Sequence, residues 1–250
     1  MPSTCLSRWA SEDNEVAVMM GSSVAWQLAR LTTVQHHYHV GSGEVTRQLL
    51  QGVPTTLELA AVGAVVSLAA GAVLGFGRAR GPWFVRQPII WFVELIRGLP
   101  EILQLFILYF GLTQFQINLS PLTAGLIWMC VYGAGYAVEI FRAGLVDIPP
   151  GQDEAARALG LRRTTTFGKI ILPQAVRVML PSLTSFVILE LKNSTLVYYI
   201  GVIDIMNHAS GFVNNGVNPL MVYSIAAGFY IVLSVVLGRA GALVERRMAW

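Results

Sequence analysis

The sequence predicts an all-α integral membrane protein with five transmembrane helices and a short inner-side helix between spans three and four. Three observations carry that prediction. Hydrophobic residues make up 54% of the 250 positions and charged residues 12%, against roughly 25% charged in an ordinary soluble domain. Five apolar stretches approach or exceed the ~20 residues a helix needs to cross a bilayer core. The basic residues gather on one side of those stretches. A mean hydropathy of +0.59 leaves too little polar surface for a cytosolic enzyme or a disordered chain. The net charge of +3 comes from thinly spread Lys and Arg with no dense patch, so no nucleic-acid partner is expected.

Residues 1–46 form an N-terminal extension, expected to be poorly ordered or extracytoplasmic. They mix charge with serine, and their apolar run at 16–29 is too short to span. His36, His37 and His39 lie close together there, but no carboxylate or cysteine completes a ligand set, so no metal site is expected. Cys5 and Cys130 stand alone.

The remaining chain, 47–247, reads as one membrane domain with spans at about 53–76, 88–110, 121–144, 178–200 and 220–240. The first is the cleanest: its last 18 residues carry no charge, and Arg78 and Arg80 follow. The second contains Glu94, Arg97 and Glu101. The third ends in Glu139 and Arg142, and the fourth carries Glu190 and Lys192 near its end. The fifth is apolar until Arg239. Pro82, Pro88, Pro121, Pro173, Pro181 and Pro219 sit near span edges, where a missing N–H is least disruptive.

Orientation follows from the basic residues, which accumulate in short cytoplasmic loops. With the N-terminus outside and the C-terminus inside, 12 of the 17 Lys and Arg face the cytoplasm. The two outer loops, 111–121 and 201–219, then contain neither Lys nor Arg.

The longest hydrophilic connection, 147–177, lies on the inner side. Pro149, Pro150 and Gly151 end the preceding helix. Asp153 and Glu154 put acid on the first turn of a short helix, where it complements the positive end of the dipole. Ala155, Ala156, Ala158 and Leu159 give that helix a narrow apolar face, and Gly160 is a natural stop. Such a helix has no long side chains with which to build its own core, so it is suited to docking.

The order Glu154-Ala155-Ala156, Gly160, Ile170, Leu172-Pro173 resembles the "EAA" loop of ABC importer permeases, with all seven positions at the family spacing. Segments 52–60 (GVPTTLELA), 93–110 (VELIRGLPEILQLFILYF), 137–144 (AVEIFRAG) and 191–196 (LKNSTL) are similar to the polar amino-acid uptake branch. Asn193 stands where many relatives carry an acid, and Leu99 replaces a common Thr. The resemblance implies a permease subunit of the bacterial plasma (inner) membrane, working as a homodimer or heterodimer. It also implies that a cytoplasmic ATPase dimer grips the short helix and that an external binding protein delivers a polar amino acid. ATP and Mg would then belong to the ATPase, with no cofactor or catalytic residue on this chain. The absence of a G-x-x-x-x-G-K-[ST] phosphate loop in the sequence points the same way.

Charged side chains inside a membrane are functional candidates by default. Glu94, Arg97 and Glu101 share one face of an uninterrupted helix. They either line the substrate path or form an internal ion-pair ladder. Glu190 and Lys192 face different sides of span four, and Lys192, Asn193, Ser194 and Thr195 make a polar segment that is either path lining or interhelical glue. Glu139 and Arg142 suit an interfacial pair that orients the inner loop. One rival reading is a secondary amino-acid transporter driven by an ion gradient, against which the lack of an obvious internal repeat argues. Another is a membrane enzyme, for which no nucleophile or metal motif is present.

Overall fold

A computed structural model describes residues 40–248, and every regular element among them is helical. In chain order they are α1 (Ser42–Arg80), α2 (Trp83–Gly98), α3 (Glu101–Phe106) and α4 (Pro121–Val146). Then come α5 (Gly151–Ala158), α6 (Arg163–Thr166), α7 (Leu172–Asn193), α8 (Ile205–Asn214) and α9 (Pro219–Met248). π-helical turns extend α3 over Ile107–Gly111 and join α6 to α7 over Phe167–Ile171. A 3₁₀ run, Ser194–Ile200, carries α7 onward. Most of the expected N-terminal extension, including Cys5, the run at 16–29 and the three close histidines, lies outside the described residues.

Among the described residues, four helical stretches are long and apolar enough to cross a membrane: Ser42–Arg80, Pro121–Val146, Arg163–Ile200 and Pro219–Met248. The expected single helix at 88–110 is instead two. Leu99 is extended, at φ −100° and ψ 142°, because a residue before proline is pushed out of the helical region. The break is sealed from below: Gln104 Nε2 donates to the carbonyls of Ile96 (2.7 Å) and Leu99 (2.9 Å). Two other boundaries also move. The inner connection is shorter than 147–177, since helix resumes at Arg163. The outer connection 201–219 contains a helix of its own, α8.

Small residues let α1 and α4 approach closely. The G-x-x-x-G pair Gly71 and Gly75 faces α4 of the same chain. A Cβ on Gly71 would overlap Ala137, and one on Gly75 would lie 2.6 Å from Phe141 Cβ. Gly133 of α4 abuts Ser67, whose Oγ donates to the carbonyls of Met129 (3.3 Å) and Cys130 (3.1 Å). This seam is the spine of the chain, and the buried core divides along it. Leu59, Ile96, Leu105, Met129, Tyr132 and Val197 fill the middle. Val45, Leu49, Ile205, Ala209 and Val222 close one end. Leu145, Ile171, Ala175 and Met179, with Ala79 packed against them, close the other. Val73, Trp91, Leu220 and Ile231 stand exposed on the outside, where only lipid or another apolar partner would shield them.

Candidate functional site

Among the described residues, chemistry-bearing side chains gather at the α5 loop at one end of the spine and in a cavity between α2, α4 and α7.

Pro149 and Pro150 end α4's run-on, and α5 then makes two turns with Asp153 and Glu154 in its first. Arg157 closes on Asp153 one turn back, Nη2 to Oδ2 at 3.0 Å. The helix stops at Gly160, whose φ of +72° is left-handed. Gly160 N donates to Arg157 O (2.9 Å) and Leu161 N to Ala156 O (3.1 Å), the two bonds of a Schellman cap. The sequence-predicted alanine face divides. Ala156 is buried, turned toward its own chain, whereas Glu154, Ala155, Ala158 and Leu159 are exposed. Gln152 and Gln174 make a long hydrogen bond of 3.5 Å between α5 and the start of α7. Ile170 is half-buried, Leu172 and Pro173 are exposed at the start of α7, and Ile171 between them is anchored in the end cluster. α5 therefore packs on the turns at 163–171 that lead into α7.

The ends of α1 and α4 are clamped beside it. Glu139 accepts from Arg78 across the seam and from Arg142 Nε at 3.0 Å on its own helix. The sequence alone does not single out Arg78 for this pair; its place at the end of an apolar run is the one signal available.

The cavity has a volume of about 600 Å³, and Arg97, Tyr136, Glu139, Ser182, Ser185 and Leu189 are among its lining residues. Arg97 lies over the Tyr136 ring, 5.5 Å from its centroid, a cation–π contact. Of the eight sequence-predicted path residues, Arg97 alone lines this cavity. The helix break takes Glu101 off the face it was expected to share with Glu94 and Arg97, and Arg97 ion-pairs with neither acid among the described residues. Glu101 instead accepts from Tyr132 OH at 2.8 Å, and Glu94 is exposed.

The polar segment of α7 also scatters. Lys192 is exposed and Asn193 buried. Ser194 and Thr195 donate back to the carbonyls of Leu191 (2.7 Å) and Lys192 (2.8 Å). Glu190 is fully buried against Gly63 and Gly133, where a Cβ would meet its oxygens at 3.2 and 2.8 Å, and neither oxygen has a hydrogen-bond partner among the described residues.

A family model described as "Binding-protein-dependent transport system inner membrane component" matches residues 63–250. The chain belongs to this family. It is thus the membrane component of a transport system of the ABC class, a transport subunit rather than an enzyme, and not a secondary transporter. This permease is 35% identical over 211 residues to the octopine transport system permease protein OccM of Rhizobium meliloti, covering 79% of this chain and 84% of that one. It is 32% identical over 202 residues to the glutamine transport system permease protein GlnP of Escherichia coli (strain K12), covering 80% and 92%. Among solved structures it is similar to an amino acid ABC transporter crystallised with histidines, at a TM-score of 0.76 and 30% identity, with coverage of 82% and 95%.

Proposed function

We propose that this permease carries a polar amino acid inward, driven by a separate ATPase that docks on the outward surface of α5. In this reading five crossings run from an outer N-terminus to a cytoplasmic C-terminus, the second being the broken α2–α3 pair. Residues 1–46 precede the permease domain. A second permease subunit, like or unlike, completes the path, and an external binding protein delivers the substrate. ATP and Mg reside on the ATPase.

One observation carries the coupling assignment: α5 presents Ala155 and Ala158 outward from a capped helix that packs on the turns at 163–171, whose Ile171 is anchored in the end cluster with α4 and α7. A push on Glu154, Ala155 or Gly160 has no soft element to absorb it. It passes through buried Ala156 and through Ile170, Leu172 and Pro173 into α7. Closure of the ATPase on ATP thereby rocks the spans, and packed interfaces convert such a push into a shift between discrete states.

The substrate class is inferred from octopine and glutamine in the relatives' names, both zwitterionic, and from the cavity. Arg97, which lines the cavity and forms no ion pair among the described residues, would receive the substrate carboxylate. Glu94, Glu101, Glu190, Lys192, Asn193, Ser194 and Thr195 would shape the path or its walls.

Gly160→Val tests the coupling. A Cβ there meets nothing within 4 Å, but the left-handed backbone strains any branched residue. In the reconstituted complex we expect substrate carried per ATP hydrolysed to fall about tenfold, with membrane insertion unchanged. Unaltered uptake per ATP would remove α5 from the coupling route.

A further inference from the structure

We propose that the junction of α1, α5 and α6 binds the phosphate of an anionic phospholipid headgroup. The inference rests on the orientation proposed above, which puts this junction at the cytoplasmic leaflet.

A cavity of about 250 Å³ is lined by Arg80, Asp153, Arg157, Arg163, Phe167 and Ile171. Three elements thus bring three guanidinium groups to one small space holding a single carboxylate. Asp153 is engaged by Arg157 at 3.0 Å, while Arg80 and Arg163 form no ion pair among the described residues. Planar guanidinium forks match phosphate oxygens two at a time, which makes a phosphate the anion this space suits.

The surroundings favour a lipid as its source. Arg80 is the last residue of an apolar helix of 39 residues. The cavity floor is apolar: Ile171 is buried, and Phe167 packs on Phe76 of α1 with ring centroids 5.0 Å apart. Trp83 and Phe84 follow closely after Arg80 and are 75% and 62% exposed, aromatic side chains of the kind that sit at the headgroup level. Val73 and Phe76 are exposed along α1, where acyl chains would run from a headgroup held by Arg80. Basic pockets at the cytoplasmic ends of spans hold anionic headgroups by this same chemistry. A lipid seated here would brace α5 against the end of α1.

The test uses the full chain in mild detergent, offered phosphatidylglycerol and phosphatidylcholine with equal acyl chains, with retained lipid read by native mass spectrometry. The wild-type chain should retain phosphatidylglycerol in preference, and the double variant Arg80→Gln/Arg163→Gln should lose about tenfold of that preference. Arg47→Gln, at the opposite end of α1, should keep it. An equal melting temperature of wild type and double variant in phosphatidylcholine shows that the variant is folded. No preference in the wild type, a preference surviving in the double variant, or equal loss in Arg47→Gln would each overturn the proposal. Inorganic phosphate displacing phosphatidylglycerol at equal concentration would reassign the site to a free anion and overturn the lipid. Lipid retention is read without the ATPase, so failure of the coupling assignment leaves this result unaffected.

Discussion

Asp204 shows how much one side chain can hold in a small connection. It is fully buried, its Oδ1 accepts from Asn207 N at 2.8 Å to cap α8, and Tyr230 OH of α9 reaches its Oδ2 at 3.5 Å. Burial pushes its carboxyl up to about 6, partly offset by those hydrogen bonds. An unfolded aspartate titrates near ~3.9, so the folded chain binds this proton more tightly. The stability the proton contributes is full below pH ~4 and is lost as pH rises through about 6. Relative to Asp204→Asn, the wild type should therefore lose on the order of 2–3 kcal/mol between pH 4 and 7, read by thermal unfolding in detergent. A difference between the two that stays flat over that range would contradict the assignment. The cap is legible as an acid ahead of Ile205, Met206 and Asn207, but asparagine and glycine at 207–218 favour a turn-rich reading. What decides for helix is long-range: Ile205 and Ala209 are buried against Val45 and Leu49 of α1.

At the scale of elements, the spans that a continuous apolar run announces are the ones found, and the broken one is where that signal misleads. Residues 88–110 read as a single run because hydrophobicity does not register backbone direction. The local signal is Gly98 and Leu99 ahead of Pro100. At the break Gln104 takes up the carbonyls of Ile96 and Leu99, as a broken helix within a membrane would require. Gln104→Leu should lower stability by about 1 kcal/mol, the net worth of hydrogen bonds to one part-buried and one exposed carbonyl. Chemical unfolding in detergent measures it, and a neutral effect would mean that water already serves those carbonyls. The start of α7 is hidden for another reason. The turns that lead into it carry Arg163 and Lys169, which make a helix at a membrane surface look like loop. The α5 loop is readable because acid, alanine and glycine at fixed spacing are local. The cavity is not readable, since Arg97, Tyr136 and Ser185 come together only when three helices pack.

For the whole molecule, the glycine seam between α1 and α4 provides a spine, and α5 packs on the 163–171 turns, whose Ile171 joins the core cluster at one end of it. Glu139, held by Arg78 and Arg142, lies both at that end and on the cavity, so one residue network joins the two. Under the proposed coupling, movement imposed on α5 would reach that cavity. Cross-linking tests this most directly, with Ala155→Cys and Ala158→Cys on the exposed surface of α5 and Ala156→Cys on its buried surface. In the assembled complex, short bifunctional reagents should join the first two to the ATPase and leave the third unjoined. Labelling of the Ala155→Cys variant by an impermeant thiol reagent added outside intact cells, with no cross-link to the ATPase, would contradict the account.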